Sequence, residues 1–232
     1  MKAMILAAGL GERMRPFTEN TPKPLLEAGG KPLLQWHVEN LVAAGFRDLV
    51  INVSHLAEQI EAFLGDGSRW NCRVTYSREA QPLEAAGGII QALPLLGDEP
   101  FALVNADIWS DYPLQRLALQ RVLPAALGVQ RLAHLVLVDN PPQHQQGDFV
   151  LEAEGQVRLK RSRRVETLTY TGIAVYHPQF FAGTRPGKQA LLPLLERAIA
   201  SDQVRGEHYR GDWTDVGTPL RLQELDARLG LL

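Results

Sequence analysis

Residues 4–25 read MILAAGLGERMRPFTENTPKPL, a short apolar run followed by a loop rich in glycine and proline. The apolar run, residues 4–8, is typical of a buried β-strand. The loop then begins with Gly9 and Gly11 and carries Arg13 and Lys23 behind them. Because open α/β sheets bind ligands in loops at the carboxyl ends of their strands, the stretch predicts a strand that leads into a ligand-binding loop.

The two glycines and the two cations of this loop favour a polyphosphate ligand. Glycine lets backbone N–H groups approach phosphate oxygens closely. Arg13 keeps its charge at neutral pH and can fork onto phosphate oxygens, whereas Lys23 is a point charge that can follow an oxygen during a reaction. A Walker A loop would need Gly-Lys-Ser/Thr, and a dinucleotide-binding loop needs a third glycine where Met14 stands. The sequence has neither pattern.

The composition indicates a single globular domain. The chain has 232 residues, of which 45% are hydrophobic and 22% charged, which is enough to bury a full core. Its formal net charge is −2, so no basic field attracts it to nucleic acid. We expect no nucleic-acid partner.

Cysteine content and hydropathy predict the compartment. Cys72 is the single cysteine of the sequence, so neither an internal disulfide nor a thiolate zinc cluster can form. The amino-terminal residues carry one lysine and too few apolar residues for a secretory signal, and no later apolar run reaches membrane-spanning length. We therefore expect a cytoplasmic protein without a membrane partner.

Strands and helices alternate through the first 110 residues. The pattern predicts strands over residues 4–8, 49–53, 73–76 and 101–105, and helices over residues 33–44, 56–64 and 86–93. The second half is more mixed, with strands over residues 135–138 and 168–176, a hairpin of residues 149–151 and 157–159, and helices over residues 189–200 and 219–229. The alternation predicts an α/β fold with a Rossmann-like, doubly wound, mixed but mostly parallel sheet in one compact domain.

The complete string of residues 9–25, preceded by Leu-Ala-Ala, resembles the signature of the sugar-1-phosphate nucleotidyltransferases. Two later blocks resemble further motifs of that family. They are Asn-Ala-Asp at residues 105–107, at a strand end, and Trp-Thr-Asp-Val-Gly-Thr at residues 213–218. The resemblance implies the nucleotidyltransferase fold over residues 1–232. It also implies a nucleotide-binding half, residues 1–110, and a sugar-binding half, residues 111–232.

The same resemblance implies roles for four charged residues. Asp107 and Asp215 are expected to hold Mg²⁺, a hard cation that prefers carboxylate oxygens and keeps positions for phosphate. Arg13 is expected to hold the departing pyrophosphate, and Lys23 to contact the phosphate under attack. Arg13, Lys23 and Asp107 are therefore the candidate catalytic residues.

The stretch EAQPLEAAGG, residues 79–88, resembles the base-reading segment of the family. A carboxylate accepts hydrogen bonds but cannot donate them, so Glu79 suits the N3–H of uracil or the N1–H and amino group of guanine. Whether Glu84 faces the base or the solvent stays open. The residues expected to bind the nucleotide are Ala7, Ala8, Gly9, Gly11, Arg13, Lys23, Glu79, Pro82, Ala86 and Gly87.

Two stretches of the second half, residues 146–149 and 168–176, resemble a small bacterial branch of the family. That branch couples UTP to N-acetylmuramate 1-phosphate in cell-wall recycling, so the resemblance implies these substrates. The residues expected to contact the sugar phosphate are Asn105, Thr169, Thr171 and Gly172.

The sequence lacks the Glu-Lys-Pro motif whose lysine meets the sugar phosphate in many family members. Nearby cations could replace that lysine, although a basic run on a hairpin is more typical of a solvated face. These cations are Lys160, Arg161, Arg163 and Arg164.

Two alternatives stay open at this level. A mannose- or heptose-1-phosphate guanylyltransferase would share the loop and both aspartates. A non-catalytic regulatory subunit that binds a sugar nucleotide would need only the base pocket, and the intact Arg13, Lys23, Asp107 and Asp215 argue against it. We expect small-molecule substrates and a monomer, because the sequence lacks the carboxyl-terminal extensions through which larger relatives assemble.

Overall fold

A mixed β-sheet forms the centre of the computed structural model, which describes residues 1–120, 131–160 and 165–230. The strands are β1 (Ala3–Leu6), β2 (Glu27–Ala28), β3 (Lys31–Pro32), β4 (Asp48–Val53), β5 (Arg73–Arg78), β6 (Phe101–Asn105), β7 (Ile108–Ser110), β8 (Ala133–Val138), β9 (Phe149–Leu151), β10 (Val157–Leu159), β11 (Thr169–Tyr176), β12 (Val204–His208) and β13 (Trp213–Asp215). The α-helices are α1 (Leu33–Ala43), α2 (Ala57–Leu64), α3 (Glu84–Leu96), α4 (Leu192–Ala200) and α5 (Pro219–Leu229).

In the described ranges, the central sheet has seven strands in the order β12-β8-β11-β6-β1-β4-β5. The pairs β1–β4, β1–β6, β4–β5 and β8–β12 are parallel, whereas β11 is antiparallel to both β6 and β8. All strands of this sheet except β11 therefore run in the same direction. This arrangement confirms the predicted mixed, mostly parallel sheet, and it brings the carboxyl ends of β1, β4 and β6 to one edge.

The strand β1 shows why the sheet has two covered faces. Ala3, Met4 and Ile5 are fully buried, and alternate residues of a strand point to opposite faces. Ala3 and Ile5 belong to a core cluster that includes buried residues of α1 and α2. Met4 belongs to a second cluster that includes buried residues of α3 and α4. Helices thus cover both faces, as the doubly wound pattern predicts.

A third apolar cluster joins the two ends of the chain. Leu222, Leu225 and Leu229, on one face of α5, pack together with Met14 and Trp109. The other buried members of this cluster are Leu26, Ala28, Leu33 and Val216. The packing holds α5 and the preceding residues 213–218 beside the loop that follows β1.

Most predicted elements are confirmed, with shifted ends. The helix predicted over residues 86–93 runs from Glu84 to Leu96 and passes through Pro94. The hairpin is formed by β9 and β10 with Glu154 in the left-handed region at φ 61°. The edge strand β12 and the short strands β2, β3, β7 and β13 were not predicted. None of the helices in the described ranges has the length and apolar character needed to cross a membrane.

Candidate active site

A cavity of about 560 Å³ opens at the edge of the sheet where β1, β4 and β6 end. It is lined by the loop after β1, by the start of α3 and by Gly217. Most residues predicted to bind the nucleotide line it, namely Ala7, Ala8, Gly9, Gly11, Arg13, Lys23, Glu79 and Pro82, together with Asn105 and Asp107. The structure therefore brings residues from three separate sequence blocks to one cavity.

The loop after β1 owes its shape to Gly11. This residue has φ 66°, in the left-handed region, and its carbonyl accepts a hydrogen bond of 2.8 Å from Thr18 Oγ1. A Cβ at position 11 would lie 2.9 Å from Thr18 Cγ2 and 3.2 Å from Lys23 Cβ. At Gly9, by contrast, a Cβ would meet no atom within 4 Å. Gly11 is thus required by the packing of the loop itself, while Gly9 leaves open space in the cavity.

Lys23 and Asp107 form an ion pair within the cavity. Lys23 is buried in a short 3-10 helix, Lys23–Leu25, and its Nζ lies 2.5 Å from Asp107 Oδ2. The Asp107 side chain follows β6 and is 43% exposed. An ammonium group and a carboxylate thus face the cavity side by side.

Asp215 lies next to Asp107 because β13 pairs with β7. In this antiparallel pair Asp215 is opposite Ile108, and the backbone N–H of Val216 donates to the carbonyl of Asp107 at 2.8 Å. Asp215 Oδ1 accepts a hydrogen bond of 3.1 Å from Gln143 Nε2 and forms an ion pair with Nη1 of Arg221. Each of the two aspartates therefore has a basic partner.

Arg221, on the first turn of α5, was not singled out in the sequence. Its side chain is only 15% exposed. Burial lowers the pKa of its guanidinium, and the positive charge of Arg13 lowers it further, whereas Asp107 acts in the opposite direction. An arginine on a helix with Glu224 and Arg228 nearby in sequence is typical of a solvated face, so the pattern gave no signal for its place in the site.

The far end of the cavity is organised around Glu79. Its Oε1 accepts from Asn52 Nδ2 at 2.7 Å and its Oε2 accepts from the backbone N–H of Leu83 at 2.9 Å. Burial raises the pKa of the Glu79 carboxyl, and the two hydrogen bonds partly offset that rise. A Cβ on Gly88 would lie 2.6 Å from Glu79 Oε1, so glycine is needed there. Each carboxylate oxygen still has a free lone pair for a ligand.

Asn52 is a site residue that the sequence pattern could have revealed. It is a buried polar residue near the carboxyl end of the apolar strand β4, and its Oδ1 accepts from the backbone N–H of Ala7 at 2.8 Å. A buried amide at such a position needs partners. Asn52 connects the base end of the cavity with the phosphate loop.

Two residues predicted to bind the nucleotide lie elsewhere. Ala86 is fully buried in the second core cluster, and Gly87 donates its N–H to the carbonyl of Gln189 at 3.1 Å. Neither lines the cavity, because α3 turns that face toward the protein interior. Glu84 and Ala85 line the cavity instead, and Glu84 lies 3.4 Å from Lys188, another lining residue.

A second cavity of about 250 Å³ shares Asn105 and Asp107 with the first. It is lined by all four residues predicted to contact the sugar phosphate, and by Asp215 and Trp213. Gly172 has φ 80°, and a Cβ there would lie 2.6 Å from Asn105 Nδ2. The two cavities thus meet at the end of β6.

The threonine hydroxyls of this second cavity already have protein partners. Thr169 Oγ1 donates to Asn140 Oδ1 at 2.9 Å, and Thr171 Oγ1 donates to the carbonyl of Val136 at 2.7 Å. The Thr171 residue is 1% exposed. These hydroxyls shape the wall of the cavity, and Trp213 Nε1 donates to the Thr171 carbonyl at 3.0 Å.

Of the cations considered as replacements for the missing lysine, Lys160 donates to the carbonyl of Gln146 at 3.1 Å and lines neither cavity. Arg161, Arg163 and Arg164 lie outside the described residues.

Comparison with known proteins identifies the family of this chain. The model of the family described as nucleotidyl transferase matches residues 2–229. The chain belongs to the nucleotidyl transferase family. It is therefore an enzyme of that class, as the motifs at residues 9–25, 105–107 and 213–218 predicted.

Relatives of this nucleotidyl transferase are similar over nearly its whole length. An N-acetylmuramate alpha-1-phosphate uridylyltransferase from Neisseria meningitidis is 47% identical, with 99% of each chain covered. A protein of the same name from Caulobacter vibrioides is 36% identical, covering 98% of this chain and 96% of the relative. A mannose-1-phosphate guanyltransferase from Aspergillus fumigatus is 33% identical over 94% of this chain and 61% of its own length.

A solved structure supports the fold. It is a candidate glucose-1-phosphate thymidylyltransferase from Bacillus anthracis, with a TM-score of 0.84 over 100% of this chain and 96% of the other. Because the two sequences are only 20% identical, this likeness concerns the fold alone.

Members of this family generally use a divalent metal, and the residues present fit one. The described ranges contain no group of three or more histidine, cysteine, aspartate or glutamate side chains that could hold a metal by themselves, so substrate oxygens would have to complete the site. Asp107, just before β7, and Asp215, on the paired strand β13, offer two carboxylates that both line the second cavity. Mg²⁺ is commonly bound through one or two carboxylates plus substrate phosphates, so this donor set suits it better than a softer metal.

His37 is a buried histidine behind this site. It belongs to α1, and burial lowers its pKa from the ordinary 6.5 to about 4, against smaller opposing effects that include the charge of Asp107. Its Nε2 has no hydrogen-bond partner among the described residues. The folded protein therefore keeps His37 neutral at pH values where the unfolded chain takes up a proton.

This difference predicts a pH dependence of stability. As the pH falls from about 6.5 to about 4, proton uptake at His37 in the unfolded state should lower the free energy of unfolding. We expect a shallower decline in His37→Phe, which keeps an aromatic ring but cannot titrate. Urea unfolding at a series of pH values measures the free energy of unfolding. His55→Gln is the control, because His55 is exposed. Equal slopes for wild type and His37→Phe would contradict the prediction.

Proposed function

We propose that this enzyme transfers UMP from UTP to a sugar 1-phosphate, with N-acetylmuramate 1-phosphate as the preferred acceptor, and uses Mg²⁺. The observation that carries the proposal is the position of Asp107. It is paired with Lys23, lies beside Asp215 and lines both cavities. A triphosphate in the first cavity and a sugar phosphate in the second would meet at this residue.

In the proposed reaction a phosphate oxygen of the sugar 1-phosphate forms a bond to the α-phosphorus of UTP. The bond from that phosphorus to the α–β bridging oxygen breaks, and pyrophosphate leaves. The attacking phosphate is already ionised at neutral pH, so no general base is needed. The protein has to align two anions and to neutralise their charge.

The residues of the site divide this work. Backbone N–H groups of the loop at Gly9 and Gly11 approach the phosphates, and Arg13 pairs with the departing pyrophosphate. The ammonium of Lys23 faces the phosphate under attack. Asp107 and Asp215 would hold the metal ion, which when bound supplies electrostatic stabilisation for phosphate oxygens of both substrates.

The choice of UTP rests on Glu79 and on the relatives. Glu79 presents acceptor oxygens at the far end of the first cavity, which suits the N3–H of uracil. Relatives that are 47% and 36% identical over nearly the whole chain carry the name of uridylyltransferases. Guanine also presents N–H groups, and a relative named as a guanyltransferase is 33% identical. GTP with mannose 1-phosphate is therefore the alternative pair.

The division of labour follows the two cavities. We assign nucleotide binding to residues 1–110 and sugar binding to residues 111–232, with Asn105 and Asp107 shared and with Lys188 and Gly217 adding to the wall of the first cavity. UTP and phosphorylated sugars are small intracellular metabolites, so we place the enzyme in the cytoplasm. With N-acetylmuramate 1-phosphate as the acceptor it would act in cell-wall recycling. We propose separately that it is a monomer. A regulatory protein without activity would not need the Lys23–Asp107 pair at the junction of the cavities.

A substrate panel tests the proposal. The purified protein is incubated with Mg²⁺, each of the four nucleoside triphosphates, and N-acetylmuramate, mannose or N-acetylglucosamine 1-phosphate, and pyrophosphate release is measured. We expect the fastest release with UTP and N-acetylmuramate 1-phosphate. Fastest release with GTP and mannose 1-phosphate would replace the proposed substrates, and no release with any pair would favour the regulatory alternative.

The two glycines of the phosphate loop provide a separate test. Gly9→Ala should keep the melting temperature of the wild type, since its Cβ meets nothing in the protein, but should weaken UTP binding about tenfold by occupying space next to the phosphates. Gly11→Ala should lower the melting temperature, because alanine is strained at φ 66° and meets Thr18. Calorimetry measures both quantities. Wild-type UTP affinity in Gly9→Ala would remove Gly9 from the site.

A further inference from the structure

Arg221 is a partly buried cation whose partner Asp215 lines the second cavity, and the described part of the chain leaves some of its donor groups unused. Its Nη1 pairs with Asp215 Oδ1, and its Nε donates to Thr218 Oγ1 at 3.3 Å. The part of the chain that the structure describes offers no hydrogen bond to Nη2. A guanidinium has five N–H donors, so Nη2 is available for an acceptor that arrives with a ligand.

The available Nη2 lies against the nucleotide cavity. A Cβ at Gly217 would collide with this atom, and Gly217 is itself a lining residue of the cavity that holds Arg13. Arg13 is close enough for its charge to act on Arg221. An anion bound between two neighbouring arginines reduces the repulsion between their charges.

We propose that Arg221 and Arg13 together bind the pyrophosphate part of the nucleoside triphosphate, and that Arg221 releases Asp215 when this anion arrives. This assignment rests on the proposed function and adds a second arginine to the phosphate site. A guanidinium forks onto phosphate oxygens with two parallel hydrogen bonds, which one carboxylate oxygen of Asp215 cannot match. The terminal helix α5 would then contribute directly to binding of the leaving group.

The ion pair has a consequence for the order of events. While Arg221 holds Oδ1 of Asp215, that oxygen is not free for a metal ion. Movement of the guanidinium onto the phosphates removes this ion pair and leaves Oδ1 with the single hydrogen bond from Gln143 Nε2 in the described part of the chain. Arg221 would thus link occupation of the phosphate site to completion of the carboxylate pair.

The test uses the reverse reaction, in which inorganic pyrophosphate and Mg²⁺ convert UDP-N-acetylmuramate to UTP and the sugar 1-phosphate. KM is measured separately for pyrophosphate and for UDP-N-acetylmuramate in wild type, Arg221→Gln and Arg221→Lys. The control is Arg228→Gln, because Arg228 lies on the same helix and also pairs with an aspartate, but its partner Asp212 lines neither cavity, whereas Asp215 lines the second. Circular dichroism melting checks the fold of each variant.

Arg221→Gln should raise KM for pyrophosphate by about tenfold to a hundredfold, the scale of one or two charge-assisted hydrogen bonds. KM for UDP-N-acetylmuramate should change by less than about threefold, and Arg228→Gln should leave both constants unchanged. Arg221→Lys, which keeps the charge but loses the fork, should give an intermediate rise and serves as the deciding variant if Arg221→Gln does not fold.

Several outcomes would overturn the assignment. An unchanged KM for pyrophosphate in a folded Arg221 variant would remove this residue from the phosphate site, and an equal rise of both constants would indicate a general structural role. These results differ from failure of the proposed function, in which the wild type itself consumes no nucleotide sugar with pyrophosphate. Isothermal titration of wild type and variants with Mg²⁺ and pyrophosphate gives the same comparison without turnover.

Discussion

Asp107→Asn should lower kcat by on the order of a thousandfold and leave the fold in place. Asparagine has the shape of aspartate and keeps an oxygen that can accept the hydrogen bond from Lys23 Nζ, now 2.5 Å from Asp107 Oδ2. It lacks the negative charge that we propose for holding the metal ion. Because that charge acts on phosphates during the reaction, its loss affects turnover more than stability. Initial rates of pyrophosphate release at saturating UTP measure the effect.

The control for this variant is Asp48→Asn. Asp48 has a side chain of similar exposure, 45% against 43% for Asp107, and also has a basic partner, Arg73 at 3.2 Å, but lines neither cavity. Its replacement should leave kcat within about twofold. A turnover near that of the wild type in Asp107→Asn would disprove the assignment of Asp107 to the reaction centre.

Lys23→Met is expected to show the second largest effect, a fall in kcat of about a hundredfold or more. The residue is 8% exposed, and methionine can fill the space of its aliphatic stem without supplying charge. The Lys23 ammonium forms an ion pair with Asp107. Its loss therefore removes a positive charge from the position where, in the proposed reaction, phosphate oxygens gain negative charge. Stopped-time assays of UDP-sugar formation, together with a thermal melt, separate this loss from unfolding.

A lysine outside the site provides the comparison. Lys31 pairs with Glu39 at 2.7 Å on the surface of the β3–α1 segment, so Lys31→Met removes the same charge from a position that does not line the cavities. We expect its rate within about twofold of wild type. If Lys23→Met were as active as Lys31→Met, Lys23 would have no part in the reaction.

The fold could be predicted largely because its strands are apolar and its turns carry glycine or proline. The sequence of the strand β12, VRGEH, does not predict a strand, because it has only one apolar residue. Its parallel pairing with β8 makes it a strand, and that pairing depends on residues that are distant in the sequence. Tertiary context determines strands of this kind more than local propensity does.

The candidate site was predictable where a motif names a residue and its neighbours together. Lys23, Asp107 and Asp215 come from such motifs and lie together in the structure. Ala86 and Gly87, predicted to bind the nucleotide, do not line the cavity, because the rotation of α3 about its axis depends on packing that a short motif does not contain. Arg221 could not be predicted, because only the packing of α5 against the opening loop brings it beside Asp215.

Direct identification of the product tests the central claim most closely. The purified protein is incubated with Mg²⁺, UTP and N-acetylmuramate 1-phosphate, and the reaction is followed by ³¹P NMR and mass spectrometry. Our account predicts equal amounts of UDP-N-acetylmuramate and pyrophosphate, with product formation lost in Asp107→Asn. Release of inorganic phosphate instead of pyrophosphate, or formation of the same product by Asp107→Asn at the wild-type rate, would contradict it.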